Sequence, residues 1–187
     1  TSDGQRFILR FADTRVLPTL QQVLSPAQWA ALHAPVEQWL CVGRDGRLAA
    51  LELAAPGVES VSRIELSPEQ LDRLTQAAEA DVAYSQICQE SPDLLPWTGD
   101  PSQGHRFLCS LLDFARRHGI EPWPDKMAWI TAEPISDGQL HQRPEFERLI
   151  AARDWTPGRL GERLRQLRMV RGGASWGKRN DGLRPPF

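Results

Sequence analysis

Two copies of one helix start, Ser25-Pro26-Ala27-Gln28 and Ser67-Pro68-Glu69-Gln70, constrain the fold of this chain more than any other feature. In each, the serine hydroxyl can accept the N–H three residues on, and the glutamine side chain can reach back to the serine N–H. The proline takes the first helical position, where a missing N–H breaks no bond. Between these points Arg44-Asp45-Gly46 separates two apolar runs, about Val36–Val42 and Arg47–Leu53. Asp-Gly suits a tight hairpin whose two central residues take positive φ, so the spacing predicts two antiparallel strands between two helices.

The flanks extend this pattern. Phe7, Leu9 and Phe11 alternate with Arg6, Ile8 and Arg10, the period of a strand, and Asp13 can cap a short helix beginning near Thr14. The stretch Ala54–Ser62 reads as a linker. The second Ser-Pro start opens a helix to about Gln89, with Leu71, Leu74, Ala78 and Val82 at helical spacing. Pro92, Pro96, Gly99, Pro101 and Gly104 break the chain before a helix over His105–His118, which carries Phe107, Leu108, Leu111, Leu112 and Ala115 and ends at Gly119. Shorter helices are predicted over Asp125–Ala132, Pro144–Arg153 and Gly158–Val170, followed by a basic, glycine-rich tail, Arg171–Phe187. The fold class expected is α+β: a small antiparallel β portion (a strand plus a hairpin) followed by a helical lobe. The divisions fall at residues 1–55, 63–170 and 171–187, with Arg63–Val170 able to fold alone.

Composition narrows the class. Hydrophobic residues at 41% and charged residues at 25% suit a folded soluble protein, and the formal net charge of -2 argues against wholesale nucleic-acid binding. The charge is uneven: eleven basic and five acidic residues lie from Arg143 onward, leaving the remainder strongly acidic. Cys41, Cys88 and Cys109 form no close pair and lie in apolar stretches, as buried free thiols in a reducing compartment do. No apolar run approaches the ~18 residues of a membrane span and no signal peptide opens the chain, so a cytoplasmic location is expected. Thr1 is not a natural initiator, which points to a processed or truncated chain.

A search for chemistry finds none. His33, His105, His118 and His141 have no second histidine or cysteine at ligand spacing, and the sequence contains no H-E-x-x-H or C-x-x-C. His118, beside Gly119, is placed to meet helix-end carbonyls. A G-x-S-x-G elbow, a phosphate loop and a dinucleotide fingerprint are all missing. The chain is therefore expected to be no enzyme and to hold no cofactor, catalytic residue or metal. Leu160–Arg168 is similar to the first helix of a repressor-type helix-turn-helix, but Gly172, Gly173, Gly177 and Gly182 follow where a recognition helix must stand. Seven tryptophans suit a binding protein. Trp97, Trp123 and Trp176, in loops, are candidate partner contacts, as are Lys178 and Arg179, whereas Trp39 and Trp129 belong to the core.

Arg10-Phe11-Ala12-Asp13-Thr14-Arg15-Val16-Leu17 resembles the R-F-Y-D-P-R-V-L signature of type VI secretion effector adaptors, the Tap/TEC chaperones. The context is similar as well: Leu24 to Trp29, then Pro35 to Leu40, then Arg44-Asp45-Gly46-Arg47, with Ala115-Arg116-Arg117-His118-Gly119-Ile120 and Arg159 to Leu164 further on. Two departures stand out. Ala12-Asp13-Thr14 replaces Y-D-P, and the family's N-terminal half is missing. The resemblance implies a non-catalytic adaptor that holds a toxic effector and delivers it to the VgrG spike, with no role for a membrane or nucleic acid. Arg10, Asp13 and Arg15 then fix a strand-to-helix corner, with the aspartate as cap and the arginines paired to it. The competing reading is a regulatory or nucleic-acid-binding protein using the basic C-terminal third.

Overall fold

The computed structural model describes residues 14–34, 36–55, 57–94, 101–136 and 138–169. They form a two-stranded antiparallel hairpin among helices, an α+β architecture with a small β portion. The chain divides into two compact units, residues 1–113 and 114–187. The predicted strand Arg6–Phe11 and the tail Arg171–Phe187 lie outside the described residues.

In the first unit, α1 (Leu17–Val23) and α2 (Pro26–His33) precede β1 (Trp39–Val42) and β2 (Leu48–Leu51), and α3 (Pro68–Glu90) follows. Helix α1 begins at Leu17 rather than near Thr14, with Val16 as N-cap and no side chain capping it. The Thr14 hydroxyl instead donates to the carbonyl of Val42 at 2.9 Å. Both Ser-Pro starts form complete capping boxes. Ser25 and Gln28 exchange bonds of 3.3 and 2.9 Å, and Ser67 and Gln70 bonds of 3.2 and 3.0 Å.

The hairpin is in register Trp39↔Leu51 through Val42↔Leu48, with strands shorter than expected. Its turn also differs. Gly46 alone takes a positive φ, 75°, while Asp45 does not and its carboxylate accepts the Arg47 N–H at 3.0 Å. Gly46 N–H returns to the Gly43 carbonyl at 3.0 Å, closing a turn with one left-handed glycine instead of two left-handed residues. Because Gly43 N–H bonds Arg47 O at 2.8 Å, alternation turns the N–H and C=O of Leu40 and Val42 away from β2.

One face of the hairpin closes a core. Cys41 and Leu51 bury against Leu17, Leu20, Leu24 and Trp29, and Ile64, Leu66 and Leu74 pack on the same cluster. Trp29 stacks on Trp39, centroids 5.6 Å apart, and donates its indole N–H to Glu52 O at 2.9 Å. His33 Nε2 accepts the Ala54 N–H at 2.8 Å, which places the ring proton on Nδ1. Of the predicted row on α3, Leu74 packs on this core and Leu71 and Ala78 are half-buried, but Val82 is exposed, and the fully buried residues are Ala80, Ala83 and Ile87. At ~100° per residue these three lie on roughly the opposite face from the predicted row, so the helix packs through different faces along its length. Cys88 is exposed on this helix, contrary to expectation, while Cys41 is buried and Cys109 intermediate.

Helix α4 (Pro101–Arg117) starts a turn earlier than His105 and takes Gly104 into its body. It ends as predicted at Gly119, φ 67°, where Ile120 N–H reaches back to Ala115 O at 2.9 Å and Gly119 N–H to Arg116 O at 3.2 Å.

The second unit contains α5 (Trp123–Ile135), α6 (Pro144–Ala152) and α7 (Leu160–Met169). Trp129, Ile130, Phe146, Leu160 and Leu164 are buried. Gly161 lets α7 lie close to α5, since a Cβ there would meet the Ala128 Cβ at 3.3 Å. Helix α6 ends at Arg153, which takes the left-handed φ of 49° that glycine usually supplies.

Candidate functional site

Of the signature residues, Arg10 and Asp13 lie outside the described residues, and the corner they were expected to form with them. Arg15 stands 4.0 Å from Asp81 on α3, with half its side chain exposed. Asp81 is a meeting point that the sequence does not mark. Arg44 at the hairpin tip clasps both of its oxygens, at 2.5 and 3.3 Å, and His105 Nε2 stands 4.0 Å away. His105 Nδ1 is 3.6 Å from the Cys109 sulfur one helical turn on, a histidine–cysteine pair that the search for ligand spacing in the sequence missed. Burial, reinforced by Arg44 and Arg15 and opposed by Asp81, holds the His105 pKa below the usual histidine range. Thiol, imidazole and carboxylate thus sit in sequence, but a triad needs the carboxylate to orient the ring. Asp81 is committed to Arg44 instead, so the group works as a lock between hairpin and α3.

The second unit contains a cleft of about 520 Å³ at the end of α4 and along α6. Its floor is aromatic. Phe114 stacks on Trp129 with centroids 4.5 Å apart, Trp129 stacks on Phe146 at 5.0 Å, and His118 covers Phe114 at 4.1 Å. His118 therefore meets an aromatic face, where helix-end carbonyls were expected. Arg117 and Arg153 line the rim from opposite sides in sequence, with Glu147 between them on α6. Arg153 is set by its backbone: its N–H caps α6 on Ile150 O at 3.2 Å, and its guanidinium lies over Gly119. A Cβ at Gly119 would fall 3.0 Å from the Arg153 Cζ, so glycine there serves both the helix end and the seat of the arginine. The Arg153 guanidinium makes no hydrogen bond or ion pair among the described residues, leaving its donor fork available.

Compared with family profiles, with curated proteins and with solved structures, the chain finds no match in any of the three.

Two buried carboxylates of the second unit are accounted for by architecture. Asp125 is fully buried at the start of α5 and accepts three N–H groups: the Trp155 indole at 3.0 Å, Gly158 at 2.8 Å and Leu160 at 2.8 Å. It satisfies the orphan amides at the start of α7 and ties down the loop before it. Glu133, also buried, accepts the His141 ring at 2.5 Å and the His141 N–H at 3.2 Å. This pair fixes the ring of His141 at the cleft wall.

Among the partner contacts read from sequence, Trp97, Trp176, Lys178 and Arg179 lie outside the described residues, and Trp123 is half-buried as the first residue of α5. The cleft was missed because its residues come from two helix ends and a turn. The one signal available was Arg153, a helix end without glycine. Among the described residues, no group of three or more His, Cys, Asp or Glu could hold a metal, and no helix is long and apolar enough to cross a membrane.

Proposed function

We propose that the chain is a non-catalytic adaptor or chaperone that binds a secreted toxic effector in the cytoplasm and loads it onto the VgrG spike of a type VI secretion system. The observation that supports the binding role is the outer face of the hairpin. Leu40, Val42 and Leu48 are 49%, 46% and 70% exposed and stand side by side in the register. The Leu40 N–H and C=O turn outward along the same edge of β1. An apolar strand face next to outward backbone donors and acceptors suits addition of an extended segment from another chain. The choice of partners rests on the resemblance of Arg10–Leu17 and its surroundings to the adaptor signature.

The test is affinity capture on the tagged chain from a lysate of a type VI-secreting bacterium, read by mass spectrometry, with a Leu40→Asp/Leu48→Asp variant alongside. Recovery of a toxin and of VgrG by the native chain, and loss of the toxin by the variant, is the expected result. Recovery of neither, together with duplex DNA binding that falls steeply with salt, would replace this reading with the nucleic-acid one.

A further inference from the structure

The cleft at the α4–α6 edge of the second unit combines three properties. Its floor presents an aromatic edge, since Phe114 is half-buried with one face on Trp129 and the other under His118. Its volume, about 520 Å³, is in the range of sites that enclose a side chain with its adjoining backbone. Its rim carries the exposed Arg153, whose backbone is fixed by a left-handed cap and whose guanidinium lies over Gly119. A guanidinium offers two parallel N–H groups that match a carboxylate, and it is less strongly hydrated than an ammonium. His118 lies on the same wall and presents its imidazole edge while its face is spent on Phe114. The opposing charge is Glu147, exposed on α6; Glu133 is taken up by His141.

We infer that this cleft is a peptide-binding site for an acidic segment in which an Asp or Glu adjoins a bulky apolar residue. The apolar side chain lies against the Phe114 edge and the carboxylate pairs with Arg153. Charge complementarity selects this occupant: a basic or neutral peptide would leave the guanidinium desolvated and unpaired, which costs more than the apolar contact returns. The inference deepens the adaptor reading, on which its biological sense rests, by assigning a second contact surface distinct from the hairpin face.

The test uses the full chain and a fluorescein-labelled, C-terminally amidated peptide, Gly-Gly-Asp-Phe-Asp-Leu-Gly-Gly, in fluorescence anisotropy. Its counterpart with Asn for both Asp residues serves as control. Saturable binding is expected, about 10-fold or more weaker for the Asn peptide and for Arg153→Gln, with Arg153→Lys in between because it keeps the charge and loses the fork. Glu147→Gln removes the opposing charge from an exposed position and is expected to tighten binding about 2-fold or more. This variant keeps the inference testable if Arg153→Gln fails to fold. Equal binding of the acid and amide peptides, weaker binding by Glu147→Gln, or no saturation by about 1 mM would each overturn it. The assay contains only chain and peptide, so its failure leaves effector capture through the hairpin untouched, and failed capture leaves a positive peptide result standing.

Discussion

Gln70 donates from Nε2 to the Gln28 Oε1 at 2.7 Å, so two helix-capping boxes 42 residues apart in sequence close upon each other. Each glutamine already serves its own box. Gln70 also donates to Val23 O at 3.0 Å and Gln28 to Glu65 O at 2.5 Å, so the starts of α2 and α3 and the end of α1 share one polar knot. Gln70→Ala removes a box member and a bridge together, with an expected loss of about 1–2 kcal/mol in urea denaturation. A double-mutant cycle with Gln28→Ala is expected to show coupling of about 0.5 kcal/mol or more. Additive losses would mean that the two boxes act independently.

Asp125 holds three N–H groups with no solvent contact, so its removal strands buried donors as well as a cap. Asp125→Ala is expected to cost about 3 kcal/mol or more. Asp154, which pairs with Arg163 at the surface, provides the contrast, and Asp154→Asn is expected to change stability by about 0.5 kcal/mol or less. Guanidinium denaturation of the two variants side by side checks the difference.

The depressed pKa of His105 has a pH consequence. The folded chain binds this proton less readily than the unfolded chain, so stability from the neutral ring is complete above the ordinary histidine pKa of about 6.5 and is lost as pH falls through the folded value. Denaturation midpoints measured from pH 7.5 down to 5 are expected to fall more steeply in the native chain than in His105→Gln. Both chains keep Arg44, Arg15 and Asp81 around this position, so the difference in slope belongs to the imidazole. Parallel profiles would show that His105 titrates alike in both states.

Gly119→Ala forces a left-handed backbone on a residue with a Cβ and pushes that Cβ into Arg153. The expected loss is about 1–2 kcal/mol in thermal or chemical unfolding. Gly138 has a similar φ, 72°, and nothing within 4 Å of its would-be Cβ, so Gly138→Ala pays only the backbone part and is expected to lose less. Equal losses at the two positions would mean that Arg153 yields without resistance.

Local chemistry made much of the fold legible. Ser25, Ser67 and Gly119 act through neighbours three to five residues away, so their capping roles can be read without knowing the rest of the chain. The hairpin at Gly46 was legible for the same reason, although its loop uses one left-handed residue where Asp-Gly pairs often use two. Thr14 shows where that logic stops. Its hydroxyl was available for a local turn, yet it bonds a strand carbonyl 28 residues away, and α1 starts later.

What tertiary structure alone decided is which side chains of each element meet. Val82 fits the helical period as well as Ala80 or Ala83, and only the packing of α3 exposes the first and buries the others. Asp81 and Asp125 carry no signal in sequence, because each acts on groups brought to it by chain distant in sequence: the hairpin tip and the start of α7. Capping and turn energies depend on neighbouring residues and are written in the local sequence. Ion pairs, buried carboxylates and clefts depend on distances through space, which exist only once the chain has folded.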